Sequence, residues 1–148
     1  MTEGVARHYS LDNGLSQAIA DSLRRAGKDP ARVTTADLAS VDEFHIGGRK
    51  ATLDLAAEMM LSPASRVLDL GSGLGGPART LAETHGCHVT GIDITPAFCE
   101  AATALSQWVG LSERVRFAEG DATRLAYGDG SFDAAMTIHV AMNIARKD

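Results

Sequence analysis

The stretch that most constrains the fold is Arg66-Val67-Leu68-Asp69-Leu70-Gly71-Ser72-Gly73-Leu74-Gly75-Gly76-Pro77. Val67, Leu68 and Leu70 supply the apolar run that a strand covered on both faces needs. The glycines that follow permit a tight turn and leave room for a ligand close to the main chain. Gly76-Pro77 opens a helix, where proline at the first position forfeits no hydrogen bond. Strand, glycine turn and helix in this order make a nucleotide-binding turn, because free N–H groups and the helix dipole face the ligand. The same residues would also serve a plain strand-to-helix connection. Asp93 favours binding: it falls roughly 20 residues past the loop, where a strand-end carboxylate takes ribose hydroxyls.

Upstream, Leu15, Ile19, Leu23 and Ala26 recur at helical spacing over 11–26, and Gly27 ends the run. Thr34-Thr35-Ala36-Asp37 has the form of a capping box ahead of Leu38, Val41 and Phe44. His45-Ile46-Gly47-Gly48 breaks the chain, and a helix from about 49 to 60 presents Leu53, Ala56, Ala57 and Met60 inward. These helices make an N-terminal cap over 1–62. The second unit, 63–148, continues with a helix over 77–85, a strand over 88–93 and a helix opened by Thr95-Pro96. An edge strand over 114–119 and a fourth strand over 132–139 complete it. Alternating strands and helices predict an α/β fold, a doubly wound Rossmann-like sheet with N-terminal helices.

Composition excludes several classes. The 148 residues carry a net charge of −5 and no basic run, so a nucleic-acid surface is not expected. No apolar leader and no stretch of roughly 18 apolar residues is present. Cys87 and Cys99 make neither a disulfide framework nor a metal-ligand set, and reduced thiols in a cytoplasmic protein are expected.

In a doubly wound sheet ligands lie at the carboxyl ends of the strands. Asp69, Gly71, Gly73 and Gly75 follow strand one, Asp93 ends strand two, Asp121 follows strand three, and His139 closes strand four. Gly120-Asp121 also suits a simple turn. His45, beside two glycines, is either a substrate-side residue or a surface loop histidine. Tyr9 either covers the core or closes over a ligand's polar tail.

With those residues on the page, Val67-Leu68-Asp69-Leu70-Gly71-Ser72-Gly73-Leu74-Gly75 resembles the first motif of class I S-adenosylmethionine-dependent methyltransferases. Ile92-Asp93-Ile94 is similar to their second-strand acid, Glu119-Gly120-Asp121-Ala122 to their adenine loop, and Ser131-Phe132-Asp133 to their fourth-strand motif. Phe44-His45-Ile46-Gly47-Gly48 resembles the sarcosine/dimethylglycine N-methyltransferase type. The resemblance implies S-adenosyl-L-methionine as cofactor, with Gly71, Ser72, Gly73 and Gly75 against its methionine part and Asp69 near its amino group. Asp93 would accept the ribose hydroxyls, Ile94 would lie on the adenine, and Asp121 and Ala122 would meet the ring's polar edge. Ile138 and His139 would stand where methyl donor and acceptor meet, with His139 orienting or deprotonating a small-molecule acceptor.

An NAD(P)-dependent oxidoreductase is the rival enzyme, but Asp69 would oppose a pyrophosphate and suits a cationic, phosphate-free nucleoside. A non-catalytic S-adenosylmethionine-binding module is the other alternative. The family's sheet has seven strands and this sequence supplies four. The expectation is therefore an N-terminal part of a longer methyltransferase, apparently truncated after strand four, or a homo-oligomer in which another subunit covers that strand.

Overall fold

The computed structural model describes residues 14–145; Tyr9 lies outside them. Helix α1 (Gly14–Arg25) leads through a short 3-10 turn at Pro30–Arg32 to α2 (Thr35–Asp42) and α3 (Gly48–Glu58). The sheet region then runs β1 (Arg66–Leu70), α4 (Gly76–His85), β2 (His88–Asp93), α5 (Pro96–Trp108), β3 (Val115–Glu119) and β4 (Ala134–Thr137). A second 3-10 turn, Ala141–Asn143, follows.

All strand pairs are parallel, in the order β3-β2-β1-β4. The chain steps outward from β1 through β2 to β3, then returns to lay β4 on the other side of β1. That reversal makes a switch point beside β1, the place where an open α/β sheet forms its ligand crevice. β3 is an edge strand, as its sequence predicts, and among the described residues so is β4.

One face of the sheet builds the core. Val67, Val89, Val115 and Met136 are buried together with Ala56 of α3 and Ala78, Leu81 and Ala82 of α4. A second cluster joins α1, α2 and α5 through Ile19, Leu23, Leu38, Ala101 and Leu105. The opposite sheet face leaves Arg116 and Ala135 exposed.

Local signals hold at most boundaries. Thr34 Oγ1 accepts from the Asp37 N–H at 3.2 Å, and Asp37 Oδ2 accepts from the Thr34 N–H at 2.9 Å, completing the box with aspartate in place of glutamate. Gly86 closes α4 in a left-handed conformation. Three expectations need correction. Thr95 makes no side-chain cap; instead Asp93 Oδ1 accepts from the Thr95 N–H at 2.9 Å. The fourth strand spans only Ala134–Thr137. The inward stripe of α3 is Thr52, Ala56 and Met59, while Leu53, Ala57 and Met60 face outward. Arg49 sets that rotation by donating to Thr80 Oγ1 and Glu83 Oε2 of α4 at 2.9 and 3.0 Å.

Candidate active site

The loop after β1 is folded onto the end of β2. The Gly71 and Ser72 N–H groups both donate to the Ile92 carbonyl, at 2.8 and 3.0 Å, and Gly73 N–H donates to Asp93 Oδ2 at 2.8 Å. Asp93 therefore braces both the glycine loop and the start of α5. Each of its oxygens keeps a lone pair for a further donor. The glycines do different jobs. A Cβ at Gly73, where φ is +54°, would meet nothing within 4 Å, so this loop tip is open to a ligand. At Gly75 a Cβ would collide with the Phe117 ring, and at Gly71 with the Val140 side chain. Gly75 thus serves packing, and Gly71 lets the strip after β4 approach.

Asp69 lies beneath the loop. It is 2% exposed, and its Oδ2 has no hydrogen-bond partner among the described residues. Burial, reinforced by the negative charge of Asp93, pushes its carboxyl up to about 7. Ser72 Oγ is likewise buried and unpartnered. Buried polar atoms left without partners cost free energy unless a ligand or water meets them.

A cleft of about 820 Å³ opens above these groups. Of the residues singled out from the sequence, Asp69, Gly71, Ser72, Gly73, Asp93, Ile138, His139 and His45 line it. Ile94, Asp121, Ala122 and Gly75 do not. Ile94 is 71% exposed beyond the end of β2. Asp121 Oδ1 accepts from the N–H and hydroxyl of Thr123 at 2.8 and 2.7 Å, which holds its carboxyl below the usual range. The Gly120 N–H donates to the Asp93 carbonyl at 2.9 Å, so the Asp121 turn starts alongside the end of β2.

The two histidines face each other, with ring centroids 6.0 Å apart. His45 Nε2 is 3.1 Å from Oγ1 of the buried Thr52. His139 has φ +54°, an uncommon conformation for a side-chain-bearing residue and one often found at functional sites.

The profile of a methyltransferase-domain family matches residues 67–148. The chain belongs to that family. Among the methyltransferases similar to it, the sterol 24-C-methyltransferase ERG6B of Gibberella zeae is 36% identical over 89 residues, 60% of this chain and 23% of its own length. The methyltransferase GfsG of Streptomyces halstedii is 33% identical over 144 residues, 97% of this chain and 50% of its own. The chain thus spans between about a quarter and a half of these relatives. A solved S-adenosylmethionine-dependent methyltransferase of Thiobacillus denitrificans, in complex with S-adenosyl-L-homocysteine, is 32% identical. It aligns with a TM-score of 0.59 over 69% of this chain and 41% of its own.

Several lining residues of this methyltransferase domain escaped the sequence reading. Leu15, Phe44, Phe98 and Val140 add apolar wall, and Asp42 adds a buried carboxylate. Asp42 pairs with Arg79, whose guanidinium is fully buried: Nη2 lies 2.9 Å from Asp42 Oδ2, and Nη1 donates to the Ala102 carbonyl and Ser106 Oγ at 2.9 and 3.1 Å. Nη2 also donates to the Leu74 carbonyl inside the glycine loop. Burial outweighs the guanidinium's pull and raises Asp42 to about 6. The signal was present: Arg79 is the one charged residue in the stretch Gly76–Ala82, with Asp42-Glu43 as consecutive acids upstream.

Proposed function

We propose that this domain binds S-adenosylmethionine in the cleft and takes part in methyl transfer to a small-molecule acceptor. The observation that carries the reading is the unpartnered, buried Asp69 Oδ2 beneath an open glycine tip. A carboxylate there opposes a pyrophosphate, which disfavours a dinucleotide, and suits an ammonium group. When bound, the cofactor supplies an electrophilic methyl on a sulfonium leaving group.

The chain's own residues do the rest. Asp69 receives the amino group, Gly73 and Ser72 approach the methionine part, and Asp93 receives the ribose hydroxyls. Ile94, Asp121 and Ala122 form an adenine rim outside the cleft wall, and Tyr9 is assigned to a closing contact from the N-terminal segment. Ile138 and His139 border the reaction position, and His45 the acceptor side. Rate enhancement comes chiefly from alignment of acceptor and methyl, with an imidazole available to hold the acceptor's proton. Residues 1–62 act as a helical cap on the sheet unit, 63–148. The small-molecule reaction is assigned to the cytoplasm; no helix among the described residues is long and apolar enough to cross a membrane.

A thermal-shift titration tests the reading. S-adenosylhomocysteine is expected to raise Tm in a saturable manner while NAD(H) leaves it unchanged; protection by NAD(H) alone overturns the reading.

A further inference from the structure

The guanidinium of Arg79 gathers segments that lie far apart in the sequence. Nη1 donates to the Ala102 carbonyl and Ser106 Oγ of α5, and Nη2 to Asp42 Oδ2 at the end of α2 and to the Leu74 carbonyl. Its Cζ lies 6.0 Å from the ring centroid of Phe117 on β3. Two glycines make room for this assembly. A Cβ at Gly75 would meet Arg79 Nη1 and the Phe117 ring, and one at Gly76 would meet the carbonyl and Oδ1 of Asp42. An aliphatic side chain would fill the space at lower desolvation cost. What the guanidinium adds is a planar fork whose fixed donor directions serve all these acceptors together.

The bond to Leu74 reaches into the glycine loop. There the Gly75 N–H donates to the Ser72 carbonyl at 2.9 Å, which makes Gly73 and Leu74 the central residues of a tight turn. Gly73 N–H is taken by Asp93 Oδ2 at 2.8 Å, and the Leu74 carbonyl by Arg79. The outer groups of the tip are thus committed to two side chains of opposite charge. The peptide between them, the Gly73 carbonyl and the Leu74 N–H, has no hydrogen-bond partner among the described residues. Both residues line the cleft, so this unpaired peptide is what the tip offers a ligand.

We propose that Arg79 is a positioning residue for the cofactor: its hold on the Leu74 carbonyl sets the direction in which the Gly73–Leu74 peptide meets the amino-acid part. The proposal rests on the S-adenosylmethionine reading above and deepens it by naming what aims the loop. Arg79 itself lies outside the cleft lining and acts only through Leu74. Asp42, paired to the same Nη2, fixes the fork from α2, so a residue outside the sheet helps to aim a loop at its rim.

The test follows amide hydrogen exchange by NMR and S-adenosylhomocysteine affinity by calorimetry in the 148-residue chain and two variants. Arg79→Lys keeps a charge for Asp42, but one ammonium cannot bond Asp42, Leu74 and α5 at once. It is expected to speed exchange at Gly73 and Gly75 about tenfold relative to Leu68 in β1, because the loop opens while the sheet stays closed. S-adenosylhomocysteine should weaken about tenfold as well. Ser106→Ala removes one anchor and leaves the Ala102 carbonyl to hold Nη1, so both effects should be about threefold. A role confined to fold stability would speed Leu68 along with the loop. The proposal is overturned if Gly73 and Gly75 exchange unchanged or only in step with Leu68, or if they speed while the affinity holds. Should Arg79→Lys fail to fold, Ser106→Ala decides by the same criteria. If S-adenosylhomocysteine binds neither parent nor variants while the loop still parts from Leu68, the cofactor reading is overturned and Arg79's hold on the loop is supported.

Discussion

The two walls of the cleft are built in opposite ways. The wall formed by the ends of β1 and β2 is tied down at every residue of the glycine loop and backed by Arg79, which is 0% exposed. Its carboxylates are held by backbone N–H groups or buried outright. The facing wall comes from Phe44-His45 and Ile138-His139-Val140; Phe44 is 75% exposed, and its loop neighbours Ile46 and Met142 are 83% and 69% exposed. The difference matches the tasks proposed for the two walls. A constant ligand is served by a wall with one arrangement, whereas a variable acceptor is served by loops that tolerate change.

That contrast can be broken most forcefully at Arg79. Arg79→Met leaves Asp42 buried without its counter-charge beside a carboxylate neighbour, Glu43, and should cost on the order of 3–5 kcal/mol of stability. Denaturant unfolding measures it, and a loss below about 1 kcal/mol would mean that the wall is not held from behind. Next in size is Asp93→Ala. Losing hydrogen bonds to a charged acceptor should weaken S-adenosylhomocysteine by on the order of 1.5–3 kcal/mol by calorimetry; unchanged affinity would remove Asp93 from the site.

A pH series sharpens the picture at Asp69. Its carboxyl titrates near 7 in the fold, against 3.8 for the free side chain. The folded state therefore binds the extra proton between those values, and this group's contribution to the stability of the unliganded protein falls as pH rises from about 4 through about 7. Binding of a cationic amino group runs the other way, since it needs the carboxylate. Affinity for S-adenosylhomocysteine should be about tenfold weaker at pH 6 than at pH 8, and Asp69→Asn should flatten that dependence. The smallest effect is expected on the loop wall: Ile46→Ser should change stability by no more than about 0.5 kcal/mol, and a larger loss would show the loop packed as firmly as the floor.

The firm wall is also the legible one. β1, the glycine loop, β2 and α5 announce themselves because their signals are local: a β-favouring run, a turn that needs positive φ, a proline at a helix start. The gathering of Asp69, Asp93 and His139 in one cleft follows from the strand-end rule alone. What sequence could not show was contact between distant segments. The rotation of α3 depends on Arg49 reaching Thr80 and Glu83 across the chain, so reading 53, 57 and 60 as inward from apolar periodicity missed by about one residue. Phe44 looked like a core residue and instead borders the cleft. The short β4 stops at Thr137, two residues before His139 turns to positive φ, a bend that apolar spacing cannot reveal.

Val140 rests against the missing side chain of Gly71. The strip bearing His139 is thereby spaced from the loop floor by the thickness of one isopropyl group. A bulkier residue at 140 would lift the imidazole and a smaller one would let it sink. On the proposed reading, the gap left for donor and acceptor is gauged by this single valine, before either of them arrives.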